Sequence, residues 1–517
     1  MLANILFSSS SLSDALCDPN VAVGVFFFFI IYTILKASYR LWFHPLAGFP
    51  GPKFAAVTTG YEFYYSVIKD GMFLWKLIEL HEQYGPVVRI TPNELHFSDP
   101  EFHSEIYSGH KNPKDKYAPF YHFTGATQSA FETHDHKLHN SRRQPLMSAF
   151  SKRSIVAIEP LILEKVNMLS QRFETAYLNK TVIKLDSAFS ALTADITSQY
   201  AYGRCFGYLE DKDFKNDIRE SLLASLTLFH IVRFFPIVMK GAKVLPFRVV
   251  QSLNPMLSKV LGLRKLINAI TIEELHTMKQ GKTSDAMLIQ VLNNPSIPES
   301  ERSLERLNDE GFVFMNAGTT TGKTLAFIMF HLLKDNGAYY SVLQQELIKT
   351  FPEGMERLTW KDLETLPYLR GVIYEGLRLS IGPLTRLPRV APTEPLIYQG
   401  RAIPPGTGIS ECNYFLHMDP VLFPNPAKYL PQRWITAEEN GERLQKYIVT
   451  FGKGTRHCLG MNLAYAEMFM TVAVIVRRFC LELHETTEAD VEVIKDRIFG
   501  YPRNPSQGVR VLTTKLT

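Results

Sequence analysis

A lone cysteine at the end of a glycine-punctuated loop is the most reactive arrangement in this chain. Residues 451–460 read F-G-K-G-T-R-H-C-L-G, with Cys458 two residues after Arg456. Gly452, Gly454 and Gly460 let backbone N–H groups turn toward the sulfur. An apolar helical run, 461–479, follows, so a helix N-terminus and Arg456 both favour the thiolate. Phe451 is placed to lie against the sulfur and keep water off it. A thiolate so placed holds a soft metal or attacks an electrophile. The plain alternative is a buried structural cysteine.

Two further groupings carry chemistry only in company. Glu375 and Arg378 stand i,i+3 on a helix predicted over 361–380, where Leu363, Leu366, Leu369, Val372, Ile373 and Leu377 recur at helical spacing. Alone, such a pair is a solvated surface contact. A second predicted helix, 310–333, carries Ala317, Gly318, Thr319, Thr320 and Thr321. Threonines in a helix most simply bond back to their own carbonyls. Continued through Gly322, Lys323 and Thr324, the stretch also fits a relaxed phosphate-loop pattern, [AG]-x-x-x-x-G-K-[ST]. Chance produces that match in roughly a few per cent of chains. No apolar strand ending in Asp follows to hold Mg²⁺.

The elements that must position these residues are those of a large globular chain: 517 residues, 46% hydrophobic and 21% charged. Length alone suggests about three domains. No repeat, low-complexity tract or Gly/Ser linker divides 55–517, so one large catalytic domain is expected there. Cys17, Cys205, Cys412, Cys458 and Cys480 are few, scattered and odd in number, which argues against a disulfide framework. A net charge of +5, spread along the chain, gives no footprint for nucleic acid. Residues 21–35 carry no charge, and with their flanks approach the roughly 20 residues of a membrane span. Asp14 and Asp18 precede this run and Lys36 and Arg40 follow it, which sets the bulk of the chain on the cytoplasmic side. A cleaved signal peptide is the rival, but no base precedes the run and no small-x-small site follows it. The expected order is a short luminal segment at 1–19, an anchor at 20–39, a Pro/Gly hinge at 40–54, then the catalytic domain.

The loop pattern F-x-x-G-x-[RK]-x-C-x-G resembles the haem-thiolate loop of the cytochromes P-450; composition alone gives it on the order of 10⁻⁴ times per chain of this length. Other segments agree in order and spacing. Residues 429–434, Y-L-P-Q-R-W, are similar to the family's F-x-P-E-R-W, with Gln432 in place of the acid. The resemblance covers roughly residues 40–515. It implies a mainly α-helical fold with a small β-rich region, behind one N-terminal transmembrane helix. It implies haem, with Cys458 as the axial thiolate ligand, and Glu375, Arg378 and Arg433 as a buried ionic lock that holds the Cys loop. Counter-charges for the haem propionates would be Arg456, Arg386, and His139 with Arg143, the last two in a segment similar to W-x-x-x-R with His for Trp. Phe451, Gly452 and Gly460 would contact haem on the thiolate side and Ala317 and Gly318 on the other. Thr321 would be the hydroxyl that helps deliver protons during oxygen activation, with Thr320 where the family usually has an acid.

The implied activity is monooxygenation of a lipophilic small molecule, with O₂ as oxidant and electrons from NADPH through NADPH-cytochrome P-450 reductase. Lys137, Arg142, Lys152, Arg153 and Lys453 are candidates for a basic face that meets it. The apolar stretches 117–123 and 222–239 fall where the family contacts substrate, and the second is suited to dip into a membrane. The texture is similar to fungal enzymes of secondary metabolism, which oxidise terpenoids, polyketides or alkaloids. The implied location is the endoplasmic reticulum membrane, single-pass, with the catalytic domain facing the cytoplasm. Two rivals remain: a haem-binding protein of this fold without turnover, which Thr320 keeps open, and a phosphate-loop nucleotide enzyme.

Overall fold

The computed structural model describes residues 19–355, 358–502 and 506–516; the expected luminal segment lies outside them except for Pro19. The uncharged N-terminal run forms helix α1, Pro19–Ser38. Its 20 residues make a rod of about 30 Å, the thickness of a bilayer's hydrocarbon core. Its apolar side chains are largely exposed: Phe28 is 70% exposed and Phe29 is similar. A π-helical turn, Tyr39–Phe43, extends the apolar stretch, so the candidate span is Asn20–Phe43, slightly longer than 20–39. A helix apolar all round needs lipid or a partner.

The Pro/Gly segment after it is stiff and also docked. Leu46 and Phe49 are buried. The Arg89 backbone N–H donates to Pro50 O at 2.7 Å, and its guanidinium donates to Arg40 O at 2.8 Å. A Cβ on Gly51 would stand 2.5 Å from Arg89 O, which explains the glycine there.

The body is helical. In chain order the helices that position the site are α2 (His136–Met147), α3 (Leu185–Tyr202), α4 (Asp217–Phe234), α5 (Ile237–Val244), α6 (Pro255–Lys279), α7 (Leu304–Gly318), α8 (Thr320–Thr350), α9 (Pro367–Ser380) and α10 (Met461–Arg478). Non-helical φ/ψ angles at Lys334, Asp335, Asn336 and Gly337 divide α8 into two helical runs. Helix α10 is apolar on nearly every side and lies in the core, where Phe469 and Val472 meet Phe189 of α3, Ile328 of α8 and Ile373 of α9. The crossing of α8 over α3 brings backbones together: a Cβ on Gly322 would lie 2.7 Å from the Phe189 carbonyl carbon.

A five-stranded sheet flanks the helices: β1 (Val87–Thr91), β2 (Glu94–Phe97), β3 (Asp115–Lys116), β4 (Arg389–Val390) and β5 (Gly408–Glu411), in the spatial order β1-β2-β5-β4-β3. The β2–β5 pair is parallel, with Glu94 opposite Gly408. A hairpin, β6 (Lys495–Arg497) and β7 (Phe499–Tyr501), reaches in from the C-terminal part. The expected class, mainly α with a small β-rich region, is the one observed.

The single helix expected over 310–333 is interrupted at Thr319. Thr319 Oγ1 donates to Met315 O at 3.0 Å and Thr320 Oγ1 to Ala317 O at 2.7 Å. These hydroxyls compete with the backbone for helix carbonyls at this point, while Thr319 itself keeps right-handed helical angles, φ −73° and ψ −15°. The break also removes the nucleotide reading. Phe312 and Met315 are helical rather than a strand, residues 320–324 are helical rather than a phosphate-cradling loop, and Lys323 Nζ donates to Gly500 O.

Candidate functional site

Gly452 and Gly454, at φ +68° and +71°, fold the loop so that Cys458 N–H donates to Phe451 O at 2.7 Å. The Phe451 ring itself packs on Tyr465, 5.3 Å away. A Cβ on Gly454 would press into Ser108 O, and Thr455 N–H donates to that same oxygen at 3.3 Å. Gly454→Ala therefore adds left-handed strain to a backbone clash. We expect a cost on the order of 3 kcal/mol, read as a lower unfolding temperature with less haem retained per chain.

Cys458 keeps exposed surface, yet protein packed around it pushes its thiol pKa up. Both fit an atom in a recess of the protein and not on a convex surface. The Gly460 N–H and the Arg143 charge oppose the rise. The cation acting on the sulfur is thus Arg143, where the sequence pointed to Arg456. Arg456 turns away and donates to Thr133 O and His134 O at 2.6 and 2.5 Å. The fully buried Cys412 is different: its Sγ lies 3.3 Å from His96 Nε2, and burial drives its thiol pKa far up.

Behind the loop, Glu375 and Arg378 on α9 are 0% exposed. Arg378 holds Glu375 through two bonds, of 2.9 and 2.8 Å, and its Nη1 donates to His417 O and Pro426 O at 2.7 Å. Arg433 Nε reaches Glu375 Oε1 at 3.0 Å, and Trp434 Nε1 reaches Oε2 at 3.0 Å. Burial holds His417 neutral, with its pKa lowered to about 3, and its Nε2 accepts from Val449 N–H at 2.9 Å. Thr450 Oγ1 donates to Leu377 O at 2.7 Å. Ion pairs and hydrogen bonds so run from the α9 carboxylate to the two residues that precede Phe451. The grouping of Glu375, Arg378 and Arg433 was legible from sequence; Trp434 and His417 were not.

On the other flank the structure gathers more positive charge than the protein neutralises. His139 and Arg143 of α2 are buried, and His139 Nδ1 has no hydrogen-bond partner among the described residues. Burial lowers the pKa of both, and for His139 so do the charges of Arg456, Lys116 and Arg143. Burial and Arg389 bring Arg456 down to about 9, and Lys116 falls under burial and the charges of Arg456 and Arg389. Asp115 and Asp135 offset this at Arg456 only in part. A buried cluster of this sign fits a group that brings two carboxylates of its own, as haem does.

Arg386 departs from expectation. Its guanidinium is buried between Glu94 Oε1, at 2.5 Å, and Glu62 Oε2, at 2.7 Å, and Arg233 of α4 closes the same network on Glu62 at 2.8 Å. Arg389, three residues on, belongs to the positive cluster instead: it acts on Arg456 and Lys116 and donates to the Tyr121 hydroxyl at 2.6 Å. Arg142, expected on the surface, is interior and paired with Glu301 at 2.7 Å. Lys152 pairs with Glu364, while Lys137 and Arg153 are exposed.

Facing the break between α7 and α8, Ala317 is exposed although Met315 and Asn316 beside it are buried, which again fits a recess. Gly318 lies against Thr197 of α3, and Thr321 is buried beside it. The aromatic loop 117–123 is less open than expected. Phe120, Tyr121 and Phe123 pack with Phe229 of α4 as a core cluster.

Comparison with known proteins agrees with this geometry. The family model described as Cytochrome P450 matches residues 50–507. The chain belongs to the cytochrome P-450 family. It is 44% identical over 493 residues to conidiogenone synthase PchP450 of Penicillium rubens, an alignment that covers 95% of this chain and 98% of that protein. It is 40% identical to cytochrome P450 monooxygenase TRI4 of Trichoderma arundinaceum, over 93% of this chain and 92% of that one. To cytochrome P450 monooxygenase pbrB of Penicillium brasilianum it is 38% identical, over 95% and 97%. As a P-450 monooxygenase the protein uses haem with a cysteine thiolate ligand, O₂, a redox partner and a lipophilic substrate.

Proposed function

We propose that this P-450 is membrane-anchored, takes Cys458 as its axial ligand, and oxidises a lipophilic small molecule in the biosynthesis of a secondary metabolite. One observation carries the assignment of the ligand. Cys458 is surrounded by protein yet keeps exposed surface, at the end of a loop braced by Glu375, Arg378 and Arg433, whereas Cys412 is buried beside His96. Bound haem supplies the activation of O₂ by two electrons. The chain's own residues do the rest. His139, Arg143, Arg389 and Arg456 would hold the propionates, with Lys116 adding to the same positive cluster. Ala317 and Gly318, small and not fully buried, would leave room for O₂ and substrate, and the buried Thr321 would offer a hydroxyl for proton delivery.

The fungal relatives, one of them named conidiogenone synthase, support a biosynthetic role in secondary metabolism; a terpenoid, polyketide or alkaloid is the substrate class we propose. Electrons would come from NADPH through NADPH-cytochrome P-450 reductase at a face that includes Lys137 and Arg153. Endoplasmic reticulum location with the body in the cytoplasm rests on the α1 span and on Lys36 and Arg40 after it. The roof adds support. Helices α4 and α5 bend by 115°, and Ile237 and Val244 are 74% and 85% exposed beside Lys240 and Arg248.

The test is the spectrum of the reduced protein with CO, in which a thiolate-ligated haem has a strongly red-shifted Soret band. Cys458→Ala should abolish that band and Cys412→Ala should keep it. Loss on Cys412→Ala alone would move the ligand to Cys412.

A further inference from the structure

The seam between the Cys loop and residues 106–108 is strongly positive. Thr455 N–H of the loop donates to Ser108 O at 3.3 Å, and both residues line a cavity of about 10 Å³. Four cationic side chains share its wall, Lys114, Arg389, Lys453 and Arg456, and among the described residues no acid does. The hydrogen bonds these cations make go to neutral groups. Lys114 is 3% exposed, and its Nζ donates to Asn112 O at 3.2 Å. Arg389 donates to the Tyr121 hydroxyl and Leu387 O, and Arg456 to Thr133 O and His134 O. Burial lowers the pKa of Lys114 and of Lys453. Glu105 and Glu394 act on Lys114 only from the exposed surface. Glu411 acts on Lys453, but burial raises its own pKa well above the usual carboxyl value, so it stays protonated at neutral pH. Both Glu411 carboxyl oxygens are sealed without a hydrogen-bond partner among the described residues.

A cavity of this size takes one particle near the dimensions of a water molecule, and a carboxylate or phosphate group is larger than that. Water would satisfy donors but leave the buried charge unanswered. A halide does both. We propose that the cavity binds one chloride ion, which ties the Cys loop to residues 106–108 and slows the escape of haem. The inference goes beyond the propionate reading, which leaves Lys114 and Lys453 without a counter-charge. Arg389 and Arg456 would serve both, since a guanidinium carries five N–H donors. A ligand that binds only the folded site stabilises it by mass action, so the effect should follow halide concentration.

The experiment uses full-length holoenzyme and two readouts. The first is anomalous scattering from crystals grown with bromide in place of chloride, which should place one peak in the cavity. The second is haem transfer to apo-myoglobin at equal ionic strength in sodium chloride, bromide or gluconate. Transfer should be several-fold slower in either halide than in gluconate, whose anion is too large to enter. Lys453→Met should abolish that difference. Lys446→Met, which removes an exposed cation that acts on Lys453 from outside the cavity wall, should keep it. No peak in the cavity overturns the proposal, and so does a haem carboxylate found there. A peak with equal transfer in chloride and gluconate means an adventitious ion only, and overturns it as well. So does equal loss of the halide effect in both lysine variants, which would make it a response to bulk charge. If the purified protein carries no haem, the haem reading has failed, and the bromide peak still decides whether the ion binds.

Discussion

Arg378→Ala is expected to give a protein that retains little haem and unfolds well below wild type. The change leaves Glu375, 0% exposed, without its bidentate partner and leaves two carbonyls, His417 O and Pro426 O, without their donor. Breaking a buried ion pair on one side costs about 3–5 kcal/mol, against a total stability of about 5–15 kcal/mol. Arg433 still touches Glu375, but through a single Nε contact. The loss does not stay local, because His417 holds the Val449 N–H and Thr450 is tied to Leu377, and the Cys loop starts from there. Arg378→Lys should fall between wild type and Ala, since an ammonium restores charge but not the fork that serves Glu375 and both carbonyls. Haem absorbance per chain and thermal unfolding measure both effects. An Arg378→Ala protein with full haem and an unchanged transition would show that the lock does not support the loop.

Substitution at two arginines three residues apart should have opposite signatures. Arg389→Leu removes a cation from the cluster with Arg456 and Lys116. A hydrogen bond to a charged group is worth about 1.5–3 kcal/mol, so haem should dissociate roughly 10–100-fold more readily. The fold should be little affected, because the remaining cations repel one another less. Arg386→Leu strips Glu62 and Glu94 of their shared partner and leaves two buried carboxylates, with only Arg233 on Glu62. It should destabilise the fold by about 3–5 kcal/mol while any folded fraction keeps its haem. Apo-myoglobin capture of haem and urea unfolding separate the two outcomes. Faster haem loss from Arg386→Leu than from Arg389→Leu would return the propionate role to Arg386.

Arg386 was implied by the family resemblance, and what separates it from Arg389 is physical. Both arginines lie in one T-R-L-P-R segment, and what sorts them is the placement of Glu62 and Glu94, some 300 residues earlier. Long-range carboxylates leave no local trace. The Cys loop, the Glu375–Arg378 pair and the threonine cluster were legible because each is a local pattern tied to backbone geometry. The break at Thr319 was less so: apolar spacing continues through it, and only side-chain bonding to Met315 and Ala317 reveals it.

The docked segment after the anchor fixes where a shortened protein for solution work should begin. Arg89 is buried, and its guanidinium depends on the backbone oxygen of Arg40, while Pro50 caps the backbone N–H of Arg89. Arg40 therefore belongs to the catalytic body as much as to the span. Cutting before Tyr39 removes the greasy rod and spares this joint. Cutting at Gly48 would leave a charged group in the interior one acceptor short, and would uncover the site that Leu46 fills.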